Sequence, residues 1–408
     1  MCEKPNPYRP GAGHSPPHLA GRAEEIEQFK KFLQQDIVTK NVILTGLRGV
    51  GKTVLMDDKY KPEVKHAGWA WVGSDFSESC FLTENQLSAR LITDLSVFSS
   101  SLSIRKESGR LGFPIEGNNE VRSLSCEFLM TVYEATPGLT TDRLKAVLEL
   151  VWGTAKDKGL RGIVFAYDEA QVVSDRQEKE QYPLAVLLET FQSIQRRGVN
   201  CMLLLTGLPT LFPRLVESRT YAERMFDVQE IGRLSEKATK EAILVPLEGY
   251  GWTFSPEALQ LITEKADGYP YFIQFICREA FDALAKTDRQ SIPIEPIVLK
   301  LDANFFSGRW DTLTDRQRDL LYCISLLPQS DDEFSISEIV ESSKNVEFLK
   351  PFTANDISQM MPRMIDKGLI YKNRLGKYSF AVPLFSRFIK RRVEARRETR
   401  QTTLFDNP

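Results

Sequence analysis

The residues best suited to chemistry lie in one run, GLRGVGKT at positions 46–53, which has the spacing GxxxxGK[ST]. Glycines at these positions let consecutive backbone N–H groups bend around an anion, and a helix starting near Lys52 adds the partial positive charge of its N-terminus. Lys52 can reach the outer phosphates of a nucleotide, while the Thr53 hydroxyl can bind Mg²⁺. The residues predicted to contact the nucleotide are Gly46, Leu47, Arg48, Gly49, Val50, Gly51, Lys52 and Thr53.

Two adjacent acids, Asp168 and Glu169, end an apolar run at positions 163–167. Carboxylates at the end of a buried strand can hold Mg²⁺ and polarise the water that attacks a phosphate. We therefore predict that Asp168 binds the metal together with Thr53, and that Glu169 is the general base. A solvated acidic turn is the plainer explanation, but the phosphate-binding motif in the same chain favours the catalytic one.

The segments that must position these residues alternate between short apolar runs and stretches with helical periodicity. This order indicates an α/β fold, a P-loop nucleotide-binding type with a parallel sheet covered on both faces, over residues 19–230. Its predicted strands are 41–45, 69–72, 162–167, 201–206 and 225–228. Residues 99–124 are rich in Ser, Gly and Asn, and we expect them to form a surface insertion.

Helical patterns dominate the remainder of the chain. A Ser255-Pro256 pair and a Thr314/Gln317 capping box mark two helix starts. In the last of these regions three predicted helices are followed by a hairpin, which is the order of a winged-helix domain. Its recognition helix would be residues 353–367. The predicted parts are an extended arm (1–18), a helical lid (231–308), a winged helix (309–392) and a basic tail (393–408).

The composition excludes several classes of protein. With 408 residues, of which 42% are hydrophobic and 26% charged, the chain has enough apolar material for large cores and is not disordered overall. Its six cysteines are widely spaced and its three histidines all precede residue 67, which argues against zinc ribbons and histidine-based triads. The sequence has no run long enough to cross a membrane and no leader, so we expect a cytoplasmic protein.

The net charge of −2 hides a basic C-terminal end, because residues 351–400 hold 12 Lys and Arg against four Asp and Glu. Such clusters supply most of the sequence-independent affinity for DNA. The winged helix would then contact double-stranded DNA, and the alternative is that it binds a protein. The cations placed to meet phosphates are Lys372, Arg374, Lys377, those within 387–392, Arg396, Arg397 and Arg400.

Taken in order, these motifs resemble those of bacterial AAA+ ATPases of the origin-recognition-like group, which is close to archaeal-type and STAND ATPases. The similarity covers roughly residues 17–285 and continues into the helical C-terminal third. It implies that the nucleotide is ATP, hydrolysed with Mg²⁺. The matching segments lie at 18–26, 46–53, 165–171, 203–211, 218–226 and 268–274.

The resemblance also implies roles for residues outside the two motifs. The segment ending at Arg22 would border the adenine, and Thr206 would sense the γ-phosphate or the attacking water. Arg224 would be an arginine finger acting on a neighbouring subunit's nucleotide, with Arg219 as the rival candidate. Pro270, in Gly268-Tyr-Pro270, would pack near the base.

The chain departs from typical AAA+ proteins at the third lid helix, where Gly268-Tyr-Pro270 replaces a second sensor arginine. Arg278 lies two turns further on and is a possible substitute. With this departure, a switch that holds its nucleotide for long periods fits the sequence as well as an enzyme with fast turnover does.

The leading hypothesis for the function is an ATP-dependent switch coupled to DNA. The alternatives are a STAND-like signalling or scaffold ATPase that binds a protein partner and forms homo-oligomers with ATP, and a nucleotide-binding protein with little turnover.

Overall fold

The computed structural model describes residues 5–11, 13–76, 83–105, 121–286, 291–374 and 376–405. Most of the predicted insertion, residues 106–120, lies outside these ranges, as do residues 1–4 of the predicted arm. The chain forms two compact units. The first comprises Arg22–Gly46 and Lys52–Ile231, and the second comprises Met1–Gly21, Leu47–Gly51 and Gly232–Pro408.

The first unit contains a five-stranded parallel sheet, because continuous apolar runs favour strands that are buried on both faces. The sheet order is β2-β5-β6-β1-β7, and the short pair β3-β4 is antiparallel and separate. The five predicted strands are confirmed to within two residues at each end. The strands are β1 (Asn41–Thr45), β2 (Trp69–Val72), β3 (Ser103–Arg105), β4 (Val121–Ser123), β5 (Gly162–Tyr167), β6 (Cys201–Gly207) and β7 (Phe226–Glu230).

The helices of this unit bury apolar side chains against the sheet. On one face Phe165 of β5 meets Phe191 edge to face at 5.1 Å, and elsewhere Phe29 stacks on Tyr60 at 4.0 Å. A π-helical turn, Met56–Tyr60, joins the second and third helices. The helices are α1 (Ala23–Leu33), α2 (Lys52–Leu55), α3 (Lys61–His66), α4 (Glu84–Ser99), α5 (Cys126–Ala135), α6 (Thr140–Asp157), α7 (Pro183–Arg196), α8 (Leu211–Ser218) and α9 (Ala222–Met225).

Three central strands, β1, β5 and β6, are buried along their whole length. They run parallel, with β6 between β1 and β5. Their carboxyl ends therefore meet at one edge of the sheet, which is where open α/β sheets bind ligands. Residues directly after these strands are thereby brought together.

The described secondary structure of the second unit consists of helices and one hairpin. The predicted caps are confirmed: the Ser255 side chain accepts from the N–H of Ala258, and Thr314 and Gln317 form a reciprocal capping box. The helices are α10 (Glu236–Leu244), α11 (Pro256–Ala266), α12 (Pro270–Lys286), α13 (Ile294–Leu301), α14 (Ser307–Asp311), α15 (Asp315–Ser325), α16 (Ile336–Lys344), α17 (Ala354–Asp366) and α18 (Phe385–Phe405). The hairpin strands are β8 (Ile370–Arg374) and β9 (Lys377–Phe380).

The C-terminal elements follow the predicted order, since α15, α16 and α17 precede the hairpin. A π-helical turn, Asp302–Phe306, connects α13 to α14. Within the described part of the chain, no helix has both the length and the apolar character needed to span a membrane.

The N-terminal arm is anchored on the second unit's helices. The Tyr8 side chain is only 1% exposed, and its hydroxyl donates to the carbonyl of Ile243 at 2.5 Å. The Asn6 amide donates to Asp282 at 2.8 Å and to the carbonyl of Arg278 at 2.9 Å. The predicted arm therefore contributes to packing.

Candidate functional site

The phosphate-binding motif has the backbone that its glycines require. Gly49 and Gly51 have φ values of +81° and +93°, in the left-handed region that residues with a Cβ rarely adopt. The preceding Gly46 donates its N–H to the carbonyl of Gly207 at 3.2 Å, which fixes the end of β1 to the end of β6. Helix α2 begins at Lys52, as the motif predicts.

Lys52 is held inside the protein. Its side chain is buried, and its Nζ donates to the carbonyl of Gly46 at 3.0 Å. Removing an ammonium group from water is costly unless acceptors or anions surround it. The position is therefore suited to a phosphate oxygen beside the first glycine of the motif.

Asp168, directly after β5, is bonded to residues of α2 and β6. The Thr53 hydroxyl donates to its Oδ2, and the Thr206 hydroxyl and the N–H of Glu169 donate to its Oδ1, the latter at 2.8 Å. The carboxylate is 7% exposed and Thr206 is fully buried. A carboxylate and a hydroxyl that already touch supply the hard oxygen ligands that Mg²⁺ prefers, with phosphates and water completing its octahedral shell. The residues present thus fit the metal.

Glu169 adopts a left-handed backbone with φ of +53°, an uncommon state for a residue with a side chain. Its Oε2 accepts a hydrogen bond from the Gln171 amide. Such strained residues cluster at functional sites, where neighbours hold them in place. The Glu169 carboxylate is thereby held by Gln171, while the Glu169 N–H bonds to Asp168.

Gln171 is a positioning residue to which the sequence analysis gave no role. Its Oε1 accepts from the N–H of Leu208 at 3.2 Å, and its carbonyl accepts from Arg214 at 2.8 Å. Gly207 makes room for it, because a Cβ there would lie 2.6 Å from Gln171 Oε1. The sequence signal was its place at the end of the matching segment 165–171, to which no role was given.

The two arginine-finger candidates differ in their surroundings. Arg219 pairs with Glu189 at 3.6 Å and donates to the carbonyl of Ser218 at 2.9 Å. Arg224, on α9, is exposed, and no carboxylate of the described residues lies within 4.0 Å of its side chain. Arg224 is therefore the more available for a partner, and its role remains a prediction.

Arg22 is buried at the start of α1. Its guanidinium donates to Glu25 at 3.4 Å, and burial lowers its pKa from the ordinary arginine value. The predicted location of this segment beside the adenine stays a prediction.

Pro270 opens α12 in the second unit, and the following residue contacts the loop Leu47–Gly51 of the same unit. The N–H of Tyr271, left without a partner inside the helix, donates to the carbonyl of Gly49 at 3.2 Å. Arg278 is exposed further along α12, and its carbonyl accepts from Asn6.

Two arginines of the basic C-terminal segment form ion pairs within their own unit. Arg387 pairs with Asp267 at 2.9 Å, and Arg391 forms two bonds to Asp302, at 2.6 and 3.0 Å. Lys377 similarly pairs with Glu338 at 3.2 Å. Predicted cations that remain exposed without an ion pair among the described residues are Lys372, Arg392, Arg396 and Arg397, and the Arg397 guanidinium also lies 4.3 Å from the centre of the Phe348 ring.

Comparison with known proteins gives a consistent picture of the fold. A family model described as a domain of unknown function (DUF8462) matches residues 303–389. No curated protein matches the sequence. The Walker-type ATPase PABY2304 of Pyrococcus abyssi is similar over 91% of this chain and 96% of its own, with 15% identity and a TM-score of 0.57.

The ADP form of the Aeropyrum pernix ORC2 protein is also similar, with 14% identity over 94% of this chain and 96% of its own, and a TM-score of 0.53. The same protein in its ADPNP-ADP complexes gives 13% identity over 95% and 98%, with a TM-score of 0.51. At identities this low, the structural similarity shows that the fold is shared and nothing more. The predicted fold class, an α/β P-loop fold with a parallel sheet followed by helical regions, is confirmed.

Proposed function

We propose that this protein is a molecular switch that binds ATP, hydrolyses it with Mg²⁺, and couples its nucleotide state to double-stranded DNA through a C-terminal winged helix. The observation that carries the proposal is the Asp168 carboxylate, which accepts hydrogen bonds from both Thr53 and Thr206 and lies next to Glu169. We expect the protein to act in the cytoplasm.

Each residue would have one task in hydrolysis. The backbone N–H groups of residues 46–51 and the Lys52 ammonium would hold the phosphates. Thr53 and Asp168 would hold Mg²⁺, which neutralises charge on the phosphate oxygens when bound. Glu169, oriented by Gln171, would accept the proton of the attacking water.

Two further residues would complete the proposed reaction. Thr206 would orient Asp168 and the water, since its hydroxyl is buried at the end of β6. Arg224 would act on the nucleotide of a second copy, in keeping with its exposure on α9. The names of similar structures support the proposal: one is a Walker-type ATPase, and another was solved with ADP and ADPNP.

The DNA half of the proposal depends on charge. Helix α17 exposes Asn355, Gln359 and Arg363, but also Asp356 and Asp366. This mixture is poor for reading bases, so we expect contacts chiefly to phosphates. The cations available for them include Lys372 on β8 and Arg392 and Arg396 on α18.

The test measures the affinity of the full chain for a DNA duplex of about 20 base pairs by fluorescence anisotropy, with ATPγS and with ADP. The salt concentration is varied from about 50 to about 200 mM, because on the order of one counterion is released per phosphate contact. Replacing Lys372, Arg392 and Arg396 with Ala should flatten the salt dependence. A matched control replaces Lys31, Lys156 and Lys158, exposed lysines of the other unit. Negligible affinity at the lowest salt, or an equal effect of both triple variants, would show that the DNA half is wrong.

A protein-binding switch that assembles with ATP is the second candidate. The ion pairs of Arg387 and Arg391 favour it, because they reduce the charge offered to DNA. Light scattering with ATPγS, in the absence of DNA, would then show assembly. A monomer under every nucleotide condition would contradict this candidate.

A further inference from the structure

Helix α8 is bonded to the connection between β5 and α7, which carries Glu169. This connection runs over residues 168–182, and both it and α8 belong to the first unit. Two side chains of α8 reach it at different points, since Arg214 bonds to Gln171 and Ser218 bonds to Asp175. The two bonds differ in what they can do to Glu169.

The Arg214 guanidinium donates to the backbone carbonyl of Gln171 at 2.8 Å. In the 3₁₀ turn Ala170–Val172, the two preceding carbonyls accept from the N–H groups of Val172 and Val173, at 3.0 and 3.1 Å. The carbonyl of Gln171 lies at the end of this short turn, where a helical ladder no longer supplies donors. Arg214 supplies a donor from α8.

Arg214 has no acidic partner among the described residues. Arg219, at the end of the same helix, pairs with Glu189 at 3.6 Å, whereas no carboxylate in the described part of the chain lies within 4.0 Å of Arg214. A hydrogen bond from a charged donor contributes more than one from a neutral donor. The charge of Arg214 therefore strengthens a bond to the backbone of Gln171.

Gln171 connects this bond to Glu169. Its side-chain amide donates to Oε2 of Glu169, and its Oε1 accepts from the N–H of Leu208 at 3.2 Å. Gln171 is 9% exposed, so these bonds lie largely out of water. The side chain of Gln171 is thus held by the residue that follows β6, and the backbone that carries it is held by Arg214.

The bond of Ser218 has a different consequence. Its hydroxyl donates to Oδ2 of Asp175 at 2.5 Å. Oδ1 of Asp175 accepts from the N–H groups of Leu184 and Ala185, at 2.9 and 3.2 Å, which fixes this end of the connection to α7. Asp175 therefore keeps two donors without Ser218, and Ser218 has no bond to Gln171.

We propose that Arg214 is a positioning residue for ATP hydrolysis. Through Gln171, it holds the Glu169 carboxylate where it can accept the proton of the attacking water. A catalytic group that is displaced by about 1 Å can lose a factor on the order of 100 in rate, even when the substitution lies away from the reacting atoms. The inference rests on the proposed function and adds a residue that contacts neither the nucleotide nor the metal.

The test compares turnover with nucleotide affinity in the full chain. Arg214→Ala should lower kcat for ATP roughly 10-fold, as expected for the loss of one charge-assisted hydrogen bond, with KM changed less than about twofold. Calorimetric affinity for Mg²⁺-ATPγS should likewise stay within about twofold of wild type. Arg214→Lys should recover part of kcat, because an ammonium group can also donate to the carbonyl.

Ser218→Ala is the matched control, since it removes a bond between the same helix and the same connection. Its kcat should stay within about twofold of wild type, because Asp175 keeps its two backbone donors. Equal losses of kcat in Arg214→Ala and Ser218→Ala would mean that α8 only stabilises the connection, and would overturn the inference. A higher kcat in Arg214→Ala would also overturn it, since Gln171 would then restrain Glu169 from reacting.

A double-mutant cycle tests whether Arg214 acts through Gln171. Once Gln171→Ala has removed the amide that holds Glu169, the further change Arg214→Ala should lower kcat by less than about twofold. Losses of kcat that multiply in the double variant would mean that Arg214 acts by another route.

Hydrogen–deuterium exchange without nucleotide gives a readout that is independent of activity. Peptides covering residues 169–173 should exchange faster in Arg214→Ala than in the wild type, and at the wild-type rate in Ser218→Ala. Unchanged exchange of these peptides in Arg214→Ala would show that the guanidinium does not hold this turn.

The failure of this inference and that of the proposed function are distinguishable. If the wild type releases no phosphate with Mg²⁺, the proposed hydrolysis is wrong. If the wild type hydrolyses ATP, Lys52→Ala does not, and Arg214→Ala has the wild-type kcat, only the role of Arg214 is wrong. Should Arg214→Ala fail to fold, Arg214→Gln, which keeps much of the side chain without its charge, decides by the same comparison of kcat.

Discussion

The Thr206 hydroxyl donates a hydrogen bond to Oδ1 of Asp168, across the ends of the neighbouring strands β6 and β5. Both groups are buried, and the other oxygen of the carboxylate accepts from Thr53 on α2. A buried carboxylate is stabilised by each donor it accepts from, so its position is determined by both hydroxyls. The proposed metal site therefore depends on β6 as well as on the phosphate-binding motif.

Replacing Thr206 with Val removes this donor while keeping the shape of the side chain. We expect ATP turnover to fall roughly 10-fold or more and ATP affinity to change less than about threefold, because positioning residues act mainly in the transition state. Phosphate release and calorimetric binding measure the two effects. Equal losses in affinity and turnover would assign Thr206 to nucleotide binding alone.

Thr190 offers the matched control for that change. It is fully buried on α7, and its hydroxyl has no hydrogen-bond partner among the described residues. Thr190→Val should leave turnover unchanged and raise the free energy of unfolding by about 1 kcal/mol, because an unsatisfied buried hydroxyl is removed. A large drop in stability on urea unfolding would contradict the surroundings described for Thr190.

Replacing Glu169 with Gln should separate hydrolysis from binding. The amide cannot accept the proton of the attacking water, so we expect turnover to fall on the order of 100-fold or more. ATP affinity should stay within about threefold of wild type, since Glu169 is assigned no phosphate contact. The control is Glu178→Gln, at an exposed glutamate in the same loop region, and it should leave both turnover and ATP affinity unchanged. Normal turnover in Glu169→Gln would remove the residue from its assigned role.

The pair of Arg391 and Asp302 should contribute to stability. Asp302 is 8% exposed, so Arg391→Ala leaves a buried carboxylate without its partner. We expect the free energy of unfolding to fall by about 2 kcal/mol, less than for a fully buried pair because Arg391 is partly exposed.

Urea unfolding of Arg391→Ala, Asp302→Asn and the double variant measures the coupling between the two residues. The double variant should lose less stability than the sum of the single ones. Arg392→Ala, an exposed neighbour on α18, should change stability little. Strict additivity would mean that the ion pair contributes nothing.

The cysteines should differ in reactivity because burial disfavours the thiolate. Burial raises the pKa of the Cys201 and Cys277 thiols well above the ordinary range, and that of Cys323 to about 11. Since the thiolate is the nucleophile, these three should resist labelling at pH 8, and reactivity should rise only as pH approaches the raised pKa.

The half-buried Cys126 is the contrast. In a chain with Cys2 and Cys80 replaced by Ser, iodoacetamide followed by mass spectrometry should modify Cys126 first. Labelling of the other three should require denaturant. Rapid labelling of Cys201 in the native protein would show that the centre of the sheet is more open than described.

The sequence predicted the sheet well because its signals are local. Strands β1, β2 and β5 match their predicted bounds, since each is an apolar run bounded by polar residues or turns. The meeting of Thr53, Asp168 and Thr206 also follows from parallel strands sharing one edge.

Features that depend on distant contacts were not predicted. The excess of basic residues led to the prediction that Arg387 and Arg391 contact phosphates. In the structure they pair with Asp267 and Asp302, which lie 120 and 89 residues earlier in the chain. Glu169 is held by Gln171, which in turn accepts from the N–H of Leu208 in the loop after β6. The burial of Tyr8 likewise requires α10, which lies far along the chain.

ATP hydrolysis is tested by the rate of phosphate release from ATP by the wild type and by Lys52→Ala, each measured with Mg²⁺ and with EDTA. Because Thr53 and Asp168 are assigned to Mg²⁺ and Lys52 to the phosphates, only the wild type with Mg²⁺ should release phosphate above background. A wild type without Mg²⁺-dependent release, or a Lys52→Ala rate equal to that of the wild type, would show that these residues do not hydrolyse ATP in the proposed way.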